Sequence, residues 1–155
     1  MFNFSKIFVS IFGIGFFPIA SGTVGSLFAI IFFYIIIDYT SSLALIISFI
    51  ILFFISVKLI SIYSFERKIN DSSEIIIDEF LGIFFIIIFY EYIKFTNDLI
   101  MFSLIFLLFR FFDILKIYPA NWIDKNIKNS LGVILDDLVA GIYYVIVLGI
   151  MNVFL

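Results

Sequence analysis

An all-α, polytopic membrane protein is the fold class that the sequence predicts, and three observations support it. Hydrophobic residues make up 65% of the 155 residues, well above the roughly 45–50% of soluble domains. The mean hydropathy is +1.29, and a chain of this length lacks the interior volume to bury so much apolar surface. The charged residues, 14% of the chain, separate apolar runs close to the roughly 20 residues that a spanning helix needs. We therefore expect one membrane-embedded domain, residues 1–155, with about four to five membrane segments plus a short N-terminal interfacial helix.

The first half of the chain contains three apolar runs, at residues 2–17, 22–37 and 43–63. Gly13 and Gly15 interrupt the first run, which predicts an interfacial or partly inserted helix because glycine weakens a helix interior. The third run is long enough to cross the hydrocarbon core. The polar residues 64–74 that follow it predict a loop.

The second half contains three further apolar runs, at residues 75–90, 99–117 and 138–155. The first of these carries two acids near its start, and the second carries three charged residues. Residues 118–132 form the most polar stretch of the chain and predict a loop before the last run.

The basic residues predict an orientation for these segments. If the N-terminus is cytoplasmic and the runs from residue 22 onwards alternate, Lys94 falls outside and Lys58 lies near the cytoplasmic side. The cytoplasmic side itself then receives Lys6, Arg67, Lys68, Arg110, Lys116, Lys125 and Lys128. Cytoplasmic loops are enriched in Lys and Arg. This topology brings the candidate site residues to the cytoplasmic end of the bundle.

The chain contains no Cys and no His. Disulfides, thiolate or imidazole metal sites, a Cys nucleophile and a His general base are therefore excluded. Catalysis would have to use carboxylates, hydroxyls, Lys and Arg, with an oxygen-preferring metal such as Mg²⁺. The net charge of −3 indicates no particular partner, and we expect no nucleic-acid partner.

Two acid pairs adjoin apolar runs, Asp78 with Glu79 and Asp136 with Asp137. An acid inside the bilayer costs about 2.5–3.5 kcal/mol on insertion scales, so each pair needs a cation, a water-filled cavity or a role as a helix cap. In IIIDEFLG and VILDDLVAG a glycine, Gly82 or Gly141, follows the acids. Small residues let helices approach closely. Two such helices side by side would bring four carboxylates together, which bound Mg²⁺ or raised pKa values would make tolerable.

Arg110, Asp113 and Lys116 recur every three residues and therefore share a broad helix face. They predict a phosphate-binding group in which Arg110 and Lys116 are donors and Asp113 orients one of them. An intrahelical series of ion pairs, or side chains that extend to the membrane interface, is the alternative. Asp124, in the following polar stretch, is a further candidate or else a surface residue.

The segment GTVGS opens the second apolar run. Its glycines before a helix resemble a backbone cradle for an anion, to which Thr23 and Ser26 would add hydroxyl donors. It is not a Walker A loop, because no Gly-Lys-Ser/Thr sequence occurs. Helix packing through small residues is the alternative.

In order, these groups resemble the phosphatidylglycerophosphatase A family of bacterial inner-membrane lipid phosphatases. The resemblance covers about residues 13–141 and rests on GFFPIASGTVGS, IDEFLG, RFFDILKIYP, Asp124 and GVILDDLVAG. The family usually has Pro at the position of Ser21, Lys-Pro at Lys116-Ile117, and two glycines at Asn129-Ser130. The acids, Arg110, Lys116 and the GTVGS core are intact.

The resemblance implies Mg²⁺-dependent hydrolysis of phosphatidylglycerophosphate to phosphatidylglycerol and phosphate, on a phospholipid substrate in the bacterial inner membrane. The expected catalytic and metal-binding residues are Asp78, Glu79, Asp136 and Asp137. The expected substrate-binding residues are Thr23, Ser26, Arg110, Asp113, Lys116 and Asp124. The oligomeric state stays open.

Other functions use similar residues. An ion-coupled transporter subunit would use the intramembrane acid pairs to carry protons or Na⁺, although the polar groups gather at one face rather than at the membrane midplane. A CDP-alcohol type phosphotransferase would require a D-x-x-D-G-x-x-A-R pattern, which the sequence lacks. A non-enzymatic membrane scaffold would leave the acid pairs unexplained.

Overall fold

The computed structural model describes residues 2–69 and 72–154, and within these ranges the regular structure is helical and contains no β-strand. The α-helices are α1 (Phe2–Val9), α2 (Ser21–Ile36), α3 (Ser42–Arg67), α4 (Ile77–Ile88), α5 (Tyr90–Ile93), α6 (Asp98–Leu115), α7 (Ala120–Asn126) and α8 (Ser130–Phe154). Short 3₁₀ turns occupy Ile14–Phe16 and Ile37–Tyr39. The predicted all-α class is confirmed.

Three helices of the described chain are long and apolar enough to cross a membrane: Ser21–Tyr39, Ser42–Arg67 and Ser130–Met151. The 12 residues of α4 extend about 18 Å at 1.5 Å per residue, against a hydrocarbon core of about 30 Å. The 18 residues of α6 include Asp98, Arg110 and Asp113. The membrane bundle is confirmed, whereas the span count of about four to five stays a prediction.

The short helix α4 lies at the centre of the bundle. It packs against α2, α3, α6 and α8, and nine of its twelve residues are buried. A helix that is apolar on every side is stable only when it is enclosed, and longer helices enclose this one. The first turn of α4 carries Asp78 and Glu79, so the packing of α4 places these acids among the surrounding helices.

Glycine permits the close crossing of α4 and α8. A Cβ atom on Gly141 would lie 2.9 Å from the carbonyl oxygen of Gly82, and one on Gly82 would lie 3.0 Å from the carbonyl oxygen of Asp137. Both obstacles are backbone atoms of the facing helix. The predicted close approach of the two acid-bearing helices at Gly82 and Gly141 is confirmed.

Gly141→Ala is expected to destabilise the bundle, because the backbone of Gly82 gives way only if α4 and α8 separate. Overpacking of this kind costs about 1–3 kcal/mol. Unfolding of the purified protein in mixed detergent and SDS micelles, followed by circular dichroism, measures the loss. Gly149→Ala on the same helix is the control, since nothing lies within 4 Å of a Cβ atom there. Equal stability of the two variants would contradict this packing.

Asp136 and Asp137 lie inside α8 rather than at its start. The sequence pattern predicts a last run from residue 138, with the acids as a helix cap in one interpretation. The helix instead begins at Ser130. Asn129 explains this start, because its Oδ1 accepts hydrogen bonds of 3.1 Å from the backbone N–H groups of the second and third helical residues. The acids therefore lie more than one turn inside the helix, and the helix-cap interpretation is wrong.

Two predicted loops are partly helical. The third helix continues to Arg67, beyond its predicted end at residue 63, and α7 occupies part of the predicted loop at residues 118–132. Arg67 forms an ion pair with Glu74, and the hydroxyl of Tyr63 donates a hydrogen bond to the same carboxylate. These contacts connect the end of α3 to the segment that precedes α4.

Candidate active site

The first turn of α2, the acidic parts of α4 and α8, the end of α6 and the region around α7 enclose a cavity of about 390 Å³. Eight of the ten side chains predicted from the sequence line it: Asp78, Glu79, Arg110, Asp113, Lys116, Asp124, Asp136 and Asp137. Thr23 and Ser26 are not among the lining residues. The fold thus brings these charges together from four separate segments, and α2 closes the cavity with uncharged residues.

Three carboxylates form a cluster in this cavity. Oxygen atoms of Asp78, Glu79 and Asp137 all lie within 4.8 Å of one another, and Asp78 and Asp137 are only 8% and 4% exposed. The Oε2 atom of Glu79 is buried and has no hydrogen-bond partner among the described residues. Adjacent buried carboxylates repel each other unless a cation or protons compensate them. Hard oxygen ligands in this number fit Mg²⁺, and we call these three residues the carboxylate cluster.

Asp136 has a different environment from its neighbour. Its Oδ2 accepts a 2.7 Å hydrogen bond from Nζ of Lys116, and its Oδ1 accepts one of 3.2 Å from the N–H of Asp137. Successive residues on a helix point about 100° apart, so the two acids of this pair face different partners. The structure gathers three of the four predicted carboxylates, and a metal-binding role for Asp136 stays a prediction.

Lys116 bridges two carboxylates. It follows α6 in the left-handed conformation, with φ of 43°, and its Nζ lies 2.7 Å from Asp136 and 3.0 Å from Asp124. Burial of the ammonium group opposes its charge, but the hydrogen bonds and attraction of both carboxylates raise the pKa of Lys116 above its ordinary value. Lys116 is therefore a fixed cation at neutral pH.

Arg110 lies between the carboxylate cluster and the end of α6. Its Nη1 is 2.5 Å from Oδ2 of Asp113 and 3.8 Å from Oε1 of Glu79. The intrahelical ion pair that the spacing allows is therefore present for Arg110 and Asp113, whereas Lys116 turns towards α8. The Arg110 side chain is 17% exposed and lines the cavity, so the same guanidinium can face a bound anion.

The GTVGS segment lines the cavity with Gly22, and the hydroxyl residues Thr23 and Ser26 are not part of the lining. A Cβ atom on Gly22 would overlap Oε1 of Glu79 and would lie 3.3 Å from Nη1 of Arg110. Glycine therefore lets the start of α2 come close to both charged groups. Ser26 is fully buried, and its Oγ donates a 2.8 Å hydrogen bond to the carbonyl of Gly22. Its position agrees with the helix-packing alternative for this segment.

Several cavity residues are missed by the sequence pattern: Ser21, Ser72, Ser73 and Lys128. Ser72 and Ser73 come shortly before the first acid pair, and this proximity is the signal that would have found them. The hydroxyl of Ser21 donates a 2.5 Å hydrogen bond to the carbonyl of Ser73. Ser21 is the first residue of α2, a position where proline is also favourable, and this agrees with the Pro that the resemblance implies at this position.

Comparison with known proteins agrees with this site. The family model described as phosphatidylglycerophosphatase A matches residues 7–152. The chain belongs to the phosphatidylglycerophosphatase A family. It is 32% identical over 136 residues to the phosphatidylglycerophosphatase A of Haemophilus influenzae, across 88% of this chain and 81% of that protein. The corresponding protein of Escherichia coli K12 is 32% identical over 131 residues, across 84% of this chain and 73% of its own length.

No solved structure gives a significant match to the chain. The resemblance predicted from the motifs is confirmed by the family model and by both bacterial relatives. The chain is therefore an enzyme of the phosphatase class, and its apolar helices make it a membrane protein.

Proposed function

We propose that this protein hydrolyses the terminal phosphate monoester of phosphatidylglycerophosphate in a Mg²⁺-dependent reaction at the cytoplasmic face of the bacterial inner membrane. The products would be phosphatidylglycerol and inorganic phosphate, within phospholipid synthesis. One observation carries the proposal: the carboxylate cluster shares a single cavity with Arg110 and Lys116. The names of the two relatives state the same substrate for those proteins.

The charges in the cavity suit a phosphate monoester at the membrane surface. Arg110 and Lys116 are cations that hold phosphate oxygens through charge-assisted hydrogen bonds. The Nε atom of Arg110 has no hydrogen-bond partner among the described residues, so the guanidinium has donor capacity left for an oxyanion. The positive-inside bias of the loops favours a cytoplasmic position for this cavity.

The carboxylate cluster suits Mg²⁺ on the chemistry of its donors. Asp78, Glu79 and Asp137 offer only oxygen ligands, and the buried Oε2 of Glu79 has no partner among the described residues. These three residues would hold the ion, and Asp136 is the further predicted ligand. When bound, Mg²⁺ would polarise the phosphate and lower the pKa of water.

The remaining chemistry falls to the side chains of this cavity. The chain has no Cys and no His, so the nucleophile is water or an aspartate. In the hydrolytic route, a carboxylate accepts a proton from the attacking water as the water oxygen bonds to phosphorus. The ester P–O bond breaks, and the departing glycerol oxygen takes a proton from solvent water. Lys116 is protonated at neutral pH because its pKa is raised, so its positive charge stabilises the phosphate oxygens as the phosphate reacts.

Phosphate release from phosphatidylglycerophosphate tests this function directly. The purified protein in detergent micelles should release phosphate with Mg²⁺ and lose the activity in EDTA, with recovery when Mg²⁺ returns. No release in the presence of Mg²⁺, or full release in EDTA, would refute the proposal.

A reporter fused after Lys128 should be cytoplasmic, and an external signal would refute the proposed orientation.

A further inference from the structure

A second concavity, of about 430 Å³, lies between α2 and α6. Residues 27–34 of α2 and 99–107 of α6 contribute its lining. All the described lining residues are apolar except Tyr34 and Ser103, and the hydroxyl of Ser103 donates a 2.8 Å hydrogen bond to the carbonyl of Leu99. We call this concavity the α2–α6 groove. Its lining is largely hydrocarbon.

The α6 side of the groove continues into the active site. Leu99, Ser103 and Phe106 line the groove and follow one another at intervals of four and three residues, and Arg110 comes four residues later. Residues at these intervals lie on one face of a helix. The same face of α6 therefore carries the groove at one end and a cation of the active-site cavity at the other.

One face of α2 likewise carries groove residues, and the cavity lies towards the N-terminal end of this helix. Leu27, Ile30 and Tyr34 line the groove, and Thr23 stands four residues before Leu27, on the same helix face. Thr23 is absent from the lining of the active-site cavity. Along α2 it stands between Gly22 of the cavity lining and Leu27 of the groove lining.

The cavity and the groove follow one another along α2. At the cavity, a Cβ atom on Gly22 would lie 3.3 Å from Nη1 of Arg110, and at the far end of the groove the rings of Tyr34 and Phe102 meet edge to face at 5.3 Å. The distance from residue 22 to residue 34 along α2 is about 18 Å, of which the groove lining from residue 27 accounts for about 10 Å. One leaflet of the hydrocarbon core is about 15 Å, half of the whole thickness. The cavity and the groove together therefore cover about one leaflet.

We propose that the α2–α6 groove holds one acyl chain of the lipid substrate while the phosphate occupies the cavity beside Arg110. This inference rests on the proposed function. The bilayer is as apolar as the groove, so the groove adds little hydrophobic free energy. Its contribution is placement, since a chain confined between the two helices fixes the position of the phosphate relative to Arg110.

Ser103→Phe tests the groove because it places a ring in the path of the chain. Ser103 is exposed, so the ring does not overpack the protein core. Ser48→Phe is the matched control: Ser48 is an exposed serine on α3, outside the groove lining, whose Oγ donates a 2.7 Å hydrogen bond to the carbonyl of Ala44. Both variants add the same ring to a lipid-facing helix surface.

Each variant is assayed on long-chain phosphatidylglycerophosphate and on the same phosphorylated headgroup without acyl chains. Ser103→Phe should lower kcat/KM for the long-chain lipid by about tenfold or more, because small displacements from a reactive position are costly. It should leave the chainless substrate unaffected, and Ser48→Phe should change neither. Equal rates for the two variants on the lipid, or an equal loss by Ser103→Phe on both substrates, would overturn the inference.

A phosphatidylglycerol with a photoreactive acyl chain gives a measurement that does not depend on activity. Its crosslinks should map to residues 27–34 and 99–107 in the wild type and in Ser48→Phe, and should be lost in Ser103→Phe. The same crosslinks in both variants would overturn the inference. If the wild type hydrolyses neither substrate, the proposed function fails and the inference fails with it. If the wild type is active on the lipid and the variants do not differ, only the groove proposal fails.

Discussion

Asp137→Asn is expected to lower phosphate release by about 10²–10³-fold, the scale of removing one group that stabilises the transition state electrostatically. Asp137 is 4% exposed and supplies one of three oxygens that lie within 4.8 Å of one another. An amide is a neutral ligand, so the cluster loses part of its attraction for Mg²⁺. The initial rate over a range of Mg²⁺ concentrations measures both the loss and the shift in metal dependence.

The same substitution should have the opposite effect on stability without metal. Without metal, three carboxylates at this separation either repel one another or must bind protons, and both are costly to the folded state at neutral pH. Asp137→Asn replaces one of these acids with a neutral group. The unfolding midpoint in EDTA should therefore rise, whereas the stabilisation that Mg²⁺ confers on the wild type should shrink. A lower midpoint in EDTA, or an unchanged response to Mg²⁺, would contradict the assignment of Asp137 to the metal site.

Two further variants show whether the effects of Asp137→Asn are specific to Asp137 or follow from removing any acidic side chain. Asp136→Asn removes the partner of Lys116, so activity should fall while most of the stabilisation by Mg²⁺ is retained. Asp38→Asn replaces an exposed acid beyond the opposite end of α2 and should behave as the wild type. If Asp136→Asn abolished the response to Mg²⁺ as fully as Asp137→Asn, Asp136 would belong with the metal ligands.

Gly22→Ala is expected to reduce kcat by about 10²-fold with little change in stability, since misplacing a reacting group by about 1 Å has this scale of effect. The added Cβ would overlap Oε1 of Glu79 and lie 3.1 Å from its carboxyl carbon. The carboxylate is the far end of a flexible side chain, so it can move aside without unfolding α2. It would then leave its position beside Asp78 and Asp137, and the affinity for Mg²⁺ should fall.

Gly149→Ala is the matched control, because nothing lies within 4 Å of its added Cβ. Alanine favours a helix over glycine by up to about 1 kcal/mol, so the control should be as stable as the wild type or more so, with full activity. Thermal unfolding in detergent, measured together with the rate, distinguishes the two effects. Full activity of Gly22→Ala would contradict the close approach of α2 to Glu79.

One departure from the pattern that the family resemblance implies, at Asn129, has a local explanation. Asn129 caps α8 with its side-chain oxygen, where the family usually has a glycine. Gly132 is retained, and a Cβ atom there would lie 2.8 Å from the carbonyl carbon of Ile127. The turn before α8 thus keeps the glycine that its close backbone contact requires. The structure offers no explanation for Ile117, which is 44% exposed.

The membrane-embedded helical class, the two acid pairs and the crossing at Gly82 and Gly141 were predictable from the sequence. Hydrophobic content and residue spacing are properties of the linear chain, because they follow from the cost of exposing apolar surface and from the period of the helix. The absence of Cys and His likewise restricted the chemistry before any fold was known.

Only the tertiary structure decided which partner each carboxylate of the second acid pair faces. The spacing of Asp136 and Asp137 does not reveal that one faces Lys116 while the other joins Asp78 and Glu79. These partners depend on which helices pack together and at what rotation, and contacts between distant segments leave no local pattern. The sequence likewise does not reveal that Gly22 leaves room for the Glu79 carboxylate. The two residues meet only when α2 packs against α4.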